Sequence, residues 1–316
     1  MPTVNAVSGP LDTSELGFTL MHEHIMVQSP GVKDNFQVYD RATETETAVR
    51  KVNDVRARGV KTLVDLTPGS WRDIPFVKEV VARTGAQVIV ATGLYWDVPH
   101  HFGAQSGRPV EYIAQHFVRD ITEGIMDTGV KAGIIKCATD EPGVTPDVER
   151  VLKAAAQAQR ATGVPISTHT HAASEMGLKQ QDVFEAEGAD LSRIVIGHSG
   201  DSEDVAYLQK ICDRGSYIGM DRFGIDIFLP TAQRVATIKK MCEMGYAAKM
   251  VLSHDAACYF DWADPNLLKS LLPNWHFNYI PDQVIPALRE AGVSDADITA
   301  MTVDNPRRIF ERQGAY

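Results

Sequence analysis

Short apolar, β-branched runs alternate along the chain with longer segments of helical patterning. Most of the runs are nearly continuous in hydrophobic residues, as expected for parallel strands that are buried on both faces. The eight runs are Phe18–His24, Val60–Leu66, Gln87–Leu94, Ala132–Cys137, Val164–His169, Arg193–His198, Ser216–Asp221 and Lys249–Asp255. Eight alternations of strand and helix predict an α/β fold, a (β/α)8 TIM barrel.

The segments between the runs carry helix start and stop signals. Thr145–Thr162 opens with Thr-Pro-Asp and contains three consecutive alanines, which favour helix. Ser202–Gly215 has a serine at the cap position, an acidic first turn and a terminal glycine. We expect two or three short helices after Pro281. The other predicted helices are Thr45–Arg58, Val110–Gly124 and Thr231–Gly245.

Length and charge narrow the class of protein. The 316 residues fit one large barrel, and no linker divides 1–316, so we predict a single domain. A net charge of -10 without a basic run argues against nucleic acid or an anionic membrane as partner. No apolar stretch approaches the roughly 20 residues of a membrane span. The N-terminus lacks secretory features and the four cysteines are scattered, so we expect a cytoplasmic protein with reduced thiols.

Polar residues recur where the predicted strands end. His22 and His24 end the first run, so their side chains project to one face of the strand and Glu23 projects to the other. Two such imidazoles can bind a metal ion, although a hydrogen-bonded pair at a barrel mouth would explain them equally well. The ends of later runs carry Lys136, His169, His198 and Asp255.

In a barrel of this class the C-terminal strand ends form the active site. Four histidines and one aspartate are too many ligands for one tetrahedral ion and suit a two-metal site. Lys136 cannot bind a cation as an ammonium, but its carbamate could bridge two ions. The alternative is an ion pair between Lys136 and Asp140 or Glu141.

In this order and on these strands, the polar residues resemble the amidohydrolase superfamily, and more closely the phosphotriesterase-like lactonases. The resemblance runs from Gly9-Pro10 to Asn305-Pro306. Its motifs are Phe18-Thr19-Leu20-Met21-His22-Glu23-His24, Lys136-Cys137-Ala138-Thr139-Asp140-Glu141-Pro142-Gly143, Ser167-Thr168-His169, Ile196-Gly197-His198-Ser199-Gly200-Asp201, Met220-Asp221-Arg222-Phe223-Gly224 and Leu252-Ser253-His254-Asp255. Together these motifs are highly specific.

The resemblance implies two divalent metal ions, zinc before iron, cobalt or manganese. It implies that His22, His24 and Asp255 hold the more buried ion. His169 and His198 would hold the more exposed ion. Lys136 would be N6-carboxylated and bridge both. His171 and His254 have no ligand counterpart and are expected to be structural. The implied metal ligands are His22, His24, Lys136, His169, His198 and Asp255.

The resemblance also implies catalytic roles around the metals. Asp255 would take a proton and pass it to the leaving alkoxide. Tyr95 matches the tyrosine that lactonases place against the lactone ring, the alternative being an aromatic of the barrel rim. Arg222 stands where phosphotriesterases carry histidine, which favours the lactonase branch. Asp201 matches a position near the leaving group and could pair with Arg222, either functionally or as a structural salt bridge.

Two apolar segments are expected to line an acyl-chain channel, Phe228-Leu229-Pro230 and Tyr259-Phe260-Asp261-Trp262, unless they are ordinary loop packing. Two departures from the lactonase pattern reshape this pocket. The segment 96–101 lacks a second tyrosine, and Ala256-Ala257 replace bulkier side chains.

We therefore predict a metal-dependent hydrolase that opens lactones, in particular the N-acyl-homoserine lactones of quorum signalling, with weak phosphotriesterase activity. The first alternative is an esterase or organophosphate hydrolase whose lactone activity is incidental. The second is a barrel that binds metal without turnover. By resemblance the partners are a small lactone or ester and a second copy in a homodimer. From the charge and composition we expect no nucleic acid and no membrane as partner.

Overall fold

The structure, a computed structural model, describes residues 2–311 and 314–316, so residues 1, 312 and 313 of the predicted domain lie outside it. The strands are β1 (Thr3–Ala6), β2 (Gly9–Asp12), β3 (Thr19–Val27), β4 (Thr62–Asp65), β5 (Gln87–Gly93), β6 (Ile134–Ala138), β7 (Ile166–His169), β8 (Ile194–Ile196), β9 (Tyr217–Met220), β10 (Met250–Leu252) and β11 (Ala257–Phe260). Strands β3 to β10 correspond to the eight predicted runs, mostly with tighter bounds.

Strands β3 to β11 pair in parallel in the order β10-β9-β8-β7-β6-β5-β4-β3-β11. The sheet curls back on itself at the segment after β10. There the Asp255 amide donates to the His22 carbonyl at 2.9 Å, and the His24 amide donates to the Ala256 carbonyl at 2.8 Å. The predicted (β/α)8 barrel is confirmed.

Helices cover the outside of the sheet. They are α1 (Val32–Asn35), α2 (Arg41–Arg56), α3 (Ile74–Thr84), α4 (Val110–Thr122), α5 (Pro146–Thr162), α6 (Met176–Ala186), α7 (Val205–Asp213), α8 (Thr231–Glu243), α9 (Pro265–Leu271), α10 (Ile285–Glu290), α11 (Asp295–Thr299) and α12 (Asn305–Glu311), with π-helical turns at Ile280–Val284 and Ala300–Asp304. Short 3-10 turns lie at Thr13–Glu15, Gly69–Trp71, Ala104–Ser106, Ala172–Ser174, Leu191–Arg193, Ser199–Asp201 and Ala247–Lys249. No described helix is long and apolar enough to span a membrane.

Two predicted helix starts were wrong, because an aspartate caps each helix more effectively. Helix α7 begins at Val205, where the Asp204 side chain accepts from two backbone amides; Ser202 precedes the cap. Helix α2 begins at Arg41, four residues earlier than predicted, because the Asp40 carboxylate accepts from the Thr43 amide.

Three strands were not predicted. The hairpin β1–β2 consists of two four-residue strands, too short to stand out in the apolar pattern. Its Asn5 side-chain amide donates to the Ile121 and Ala132 carbonyls, which fixes the hairpin to the barrel. Strand β11 lies in a segment read as a loop and pairs with β3, with Ala257 opposite His24.

The first barrel strand contains a bulge next to the polar strand end. Leu20 pairs with Leu63 and Glu23 with Asp65, so Met21 and His22 together oppose the single residue Val64. A bulge inserts one residue into a strand and turns the following side chains. Met21 can therefore join the interior apolar cluster while His22 also faces the barrel axis.

Gly93, at the end of β5, allows the backbones of β5 and β6 to approach closely. Its φ is +121°, and a Cβ there would lie 1.8 Å from the Lys136 carbonyl oxygen. We expect Gly93→Ala to lower the free energy of unfolding by about 2–4 kcal/mol, through backbone strain and overpacking. Urea unfolding measures this loss. Gly107→Ala is the matched control, because Gly107 also has positive φ but a Cβ would meet no atom within 4 Å; an equal loss in both variants would contradict the explanation.

Candidate metal centre

The carboxylate of Asp255 lies between the two histidines of β3. Its Oδ1 is 3.0 Å from His24 Nε2 and 3.3 Å from His22 Nε2. All three side chains point into the barrel mouth from adjoining segments, because β3 and the segment after β10 are hydrogen-bonded to each other. This trio is the set to which the resemblance assigns the more buried ion.

The second pair of histidines adjoins the first group. His198 Nε2 lies 2.9 Å from His169 Nδ1 and 3.8 Å from Asp255 Oδ2. Lys136 Nζ lies 2.8 Å from His22 Nε2 and is almost fully buried. The ligand atoms of His22, His198 and Asp255 all lie within 4.8 Å of one another. All six predicted ligands therefore meet in one cluster.

The outer ring nitrogens of three of these histidines, His22, His24 and His198, are held by other side chains. Asp221 lies 2.9 Å from His22 Nδ1 and 3.0 Å from His198 Nδ1, and Thr67 Oγ1 lies 2.8 Å from His24 Nδ1. Such partners fix the ring so that Nε2 faces a metal. The donor set of imidazoles, carboxylate and buried amine therefore fits divalent cations.

Comparisons with known proteins agree with this geometry. The model of the phosphotriesterase family matches residues 2–310. The chain belongs to the phosphotriesterase family. It is 53% identical to the phosphotriesterase homology protein of Mycobacterium tuberculosis over the whole of both chains. The solved structure of the phosphotriesterase from Mycobacterium tuberculosis superposes with a TM-score of 0.97, at 52% identity and full coverage of both chains.

More distant relatives carry other names. An aryldialkylphosphatase of Saccharolobus solfataricus is 41% identical over 95% of this chain and 96% of its own. An N-acetyltaurine hydrolase of Xenopus tropicalis is 24% identical over 96% of this chain and 97% of its own. The phosphotriesterase family belongs to the amidohydrolase superfamily and depends on two metal ions. The predicted family, hydrolase class and binuclear metal dependence are thus confirmed.

Burial keeps three histidines of this phosphotriesterase-family site neutral, His22, His169 and His198. Desolvation lowers the pKa of His22, lowers that of His169 to about 4, and holds that of His198 well below its usual range. A neutral imidazole is the form that binds a metal ion. Although burial alone would raise the pKa of Asp255, the adjacent imidazoles and Arg222 hold it well below the usual range, so this side chain is a carboxylate.

Lys136 does not form the ion pair considered as an alternative. Among the described residues, its amine contacts His22, whereas Asp140 pairs with His169 Nε2 at 3.4 Å and Glu141 is exposed. Burial lowers the pKa of Lys136 to about 8. This amine is therefore neutral near neutral pH far more often than that of an ordinary lysine, and carbamate formation requires the neutral form.

Arg222 pairs with Asp201, as the sequence suggested, and also with Asp255, which the sequence did not suggest. Its Nε lies 3.1 Å from Asp255 Oδ2, and its Nη1 lies 3.0 Å from Asp201 Oδ2. Asp201 also pairs with Arg234, whose Nη2 lies 2.7 Å from Asp201 Oδ1. Arg234 was not predicted from the sequence. Tyr95 is placed at the centre, with its hydroxyl 3.0 Å from His169 Nδ1.

Above the polar base the pocket is walled by apolar side chains. Tyr259 and Leu229 of the predicted lining segments are not part of this wall. Tyr259 packs on Tyr39, and the backbone carbonyl of Leu229 accepts a hydrogen bond from Arg234 Nε. The apolar lining consists of Val27, Leu66, Pro68, Trp71, Ile225, Ile227, Phe228, Phe260, Trp262, Leu268, Leu272 and Trp275.

Two histidines outside the ligand set lie away from the metal-binding nitrogens. His171 Nδ1 lies 2.8 Å from Ser174 Oγ, and His254 is fully buried against Glu23. Asp221 was not predicted to have a role, although it ends the predicted strand Ser216–Asp221 just as the predicted ligands end theirs. That position at a strand end was the available signal.

Proposed function

We propose that this hydrolase is a binuclear lactonase that opens N-acyl-homoserine lactones, a quorum-quenching activity, and that its phosphotriesterase activity is weak. The observation that carries the proposal is a pocket with a charged base and long apolar walls. The reacting ester group would lie at the base, and an acyl chain would lie against the walls. Each methylene buried there contributes about 0.8 kcal/mol.

The six ligands would hold two zinc ions, which would lower the pKa of a shared water and polarise the substrate oxygen. We propose that Lys136 is carboxylated. Its neutral amine would attack carbon dioxide, forming an N–C bond and releasing one proton, and the resulting carbamate carries the negative charge that two cations require. The lowered pKa of Lys136, about 8, favours this step.

The side chains around the metals would orient the substrate and move one proton. Asp255 would accept the proton of the attacking water and deliver it to the leaving alkoxide. Arg222 holds the Oδ2 atom of that carboxylate and is itself paired with Asp201. Tyr95, fixed against His169, would contact the lactone ring.

The alternative is a phosphotriesterase with incidental lactone activity. It is favoured by the 41% identical relative, which is named aryldialkylphosphatase. Proton release from homoserine lactones of increasing chain length, compared with hydrolysis of a dialkyl aryl phosphate, separates the two. We expect zinc-loaded wild type to turn over long-chain lactones faster than the aryl phosphate. Lys136→Ala should show no turnover. Failure to open any lactone with zinc bound would reject the lactonase.

Tyr95→Phe is expected to lower kcat/KM for lactones by roughly tenfold, the value of one lost hydrogen bond. Hydrolysis of an aryl phosphotriester should fall less, because it has no lactone ring for the hydroxyl to contact. Steady-state kinetics on both substrates measures the difference. Tyr259→Phe, outside the pocket, is the control; equal losses on both substrates in Tyr95→Phe would argue for a general structural role.

We propose a homodimer, on the resemblance to the phosphotriesterase-like lactonases, and a location in the cytoplasm. The free thiols of Cys137, Cys212, Cys242 and Cys258 support a reducing compartment. Light scattering of the purified protein tests the dimer.

A further inference from the structure

Glu23 lies between the two histidines of β3 but faces away from the metal cluster. It is fully buried. Its Oε1 accepts from Ser253 Oγ at 2.8 Å, from the His254 amide at 3.0 Å and from His254 Nδ1 at 2.6 Å. Its Oε2 accepts from the Ala256 amide at 3.0 Å. This carboxylate is therefore committed entirely to the segment that carries Asp255.

The tautomer of His254 follows from its second partner. Its Nε2 lies 2.9 Å from the Ile280 amide, which can only donate, so Nε2 is unprotonated. The ring proton is therefore on Nδ1 and is donated to Glu23. His254 thereby links the Glu23 carboxylate to the π-helical turn Ile280–Val284.

The segment held by Glu23 is strained. Asp255 has φ +58°, a left-handed conformation that costs a non-glycine residue free energy and persists only when its surroundings impose it. The Asp255 amide donates to the His22 carbonyl, and the amides on either side, those of His254 and Ala256, donate to Glu23. Three consecutive amides are thus held by two neighbouring residues of β3.

We propose that Glu23 is a positioning residue that imposes the left-handed backbone of Asp255 and so directs its carboxylate toward His22 and His24. The inference rests on the proposed function in that Asp255 must be a metal ligand. Glu23 itself touches neither metal nor substrate. Its carboxylate fits this role because both oxygens can accept and together they accept all four hydrogen bonds. A side-chain amide at this position would turn its NH2 group toward at least one of these donors, and that hydrogen bond would be lost.

The test compares Glu23→Gln with wild type and with Thr62→Val. Thr62 is also fully buried in a barrel strand, with its hydroxyl bonded to the Leu16 carbonyl and Gln87 Oε1, but it contacts no residue of the site. Zinc affinity is measured by competition with a chromogenic chelator, alongside the melting temperature of the metal-free protein and kcat and KM for a lactone.

We expect Glu23→Gln to weaken zinc binding by about 10- to 100-fold, the range found when a group that supports a metal ligand is lost. It should lower kcat by a larger factor than it changes KM. Thr62→Val should lower the melting temperature while zinc affinity remains that of wild type. Wild-type zinc affinity and kcat in Glu23→Gln, with only a lower melting temperature, would overturn the proposal.

A second pair of variants covers the case in which Glu23→Gln does not fold. His254→Asn keeps a donor near the Nδ1 position, whereas His254→Gln keeps a polar atom near Nε2 and loses the donor to Glu23. We expect zinc affinity to fall in the order wild type, His254→Asn, His254→Gln. Equal affinities in the two variants would overturn the proposal.

The two proposals fail in distinguishable ways. If wild type binds zinc but opens no lactone, the lactonase assignment is rejected, and the zinc affinities of the variants still decide the role of Glu23. If wild type hydrolyses lactones and Glu23→Gln matches it in zinc affinity and kcat, only the positioning role is rejected.

Discussion

Lys136→Ala is expected to lose two-metal binding and to lower kcat/KM by about a thousandfold or more on every substrate. Bound metals contribute several kcal/mol to transition-state stabilisation, and each 1.4 kcal/mol is a factor of ten in rate. Without the amine no carbamate can form, and the remaining ligands would have to hold two cations with one carboxylate charge. Metal analysis of purified protein, together with lactone and phosphotriester kinetics, measures both effects.

Reconstitution gives an independent test of the carbamate. Metal-free wild type should recover activity faster with zinc plus bicarbonate than with zinc alone, and Lys136→Ala should show no such dependence. Lys78→Ala, which removes an exposed lysine bonded to the Thr128 carbonyl, should behave as wild type. Full zinc content and activity in Lys136→Ala would reject the bridging role.

Asp255→Asn is expected to lower kcat by about 10²- to 10⁴-fold, the usual contribution of a positioned general acid or base. Asparagine keeps the shape of the side chain but can neither accept the water proton nor supply a negative charge to a cation. KM should change much less, because the apolar walls that bind the acyl chain are untouched. Steady-state kinetics at saturating zinc measures both constants.

Two other aspartates serve as comparisons for Asp255→Asn. Asp261→Asn should be close to wild type, because this carboxylate accepts from the Ser29 amide and hydroxyl at the rim. Asp201→Asn should have an intermediate effect, because Asp201 reaches Asp255 only through Arg222. A loss in Asp201→Asn as large as in Asp255→Asn would place the proton acceptor elsewhere.

The candidate ligand residues could be predicted from sequence because parallel barrel strands are buried on both faces. In a run such as Arg193–His198, a polar residue at the end has no packing reason to be there and stands out. The same logic located His22, Lys136 and Asp255. This prediction used only the residue type and its position along the strand. It did not require knowing which strands pair.

What remained hidden depends on register and on contacts between distant segments. Thr67 and Asp221 bond to the candidate histidines, and Glu23 bonds to the segment around Asp255. Predicting these contacts requires knowing which strands adjoin, and the bulge at Met21 and His22 shifts that register. Trp71 lines the pocket from a 3-10 turn that follows β4. The only polar residue at the end of β4 itself is the buried Asp65, so the sequence pattern provided no signal for a pocket residue there. Local patterns carry no information on such long-range pairs.

Two parts of the pocket wall differ in how firmly the backbone is held. Phe260 belongs to β11 and is paired in register with Val27 of the barrel. Ile227 and Phe228 lie in the connection between β9 and α8, outside any described strand, and are more than half exposed. Variation in substrate range among related enzymes, natural or selected in the laboratory, should therefore accumulate at 225–230, where a new side chain need not disturb the sheet.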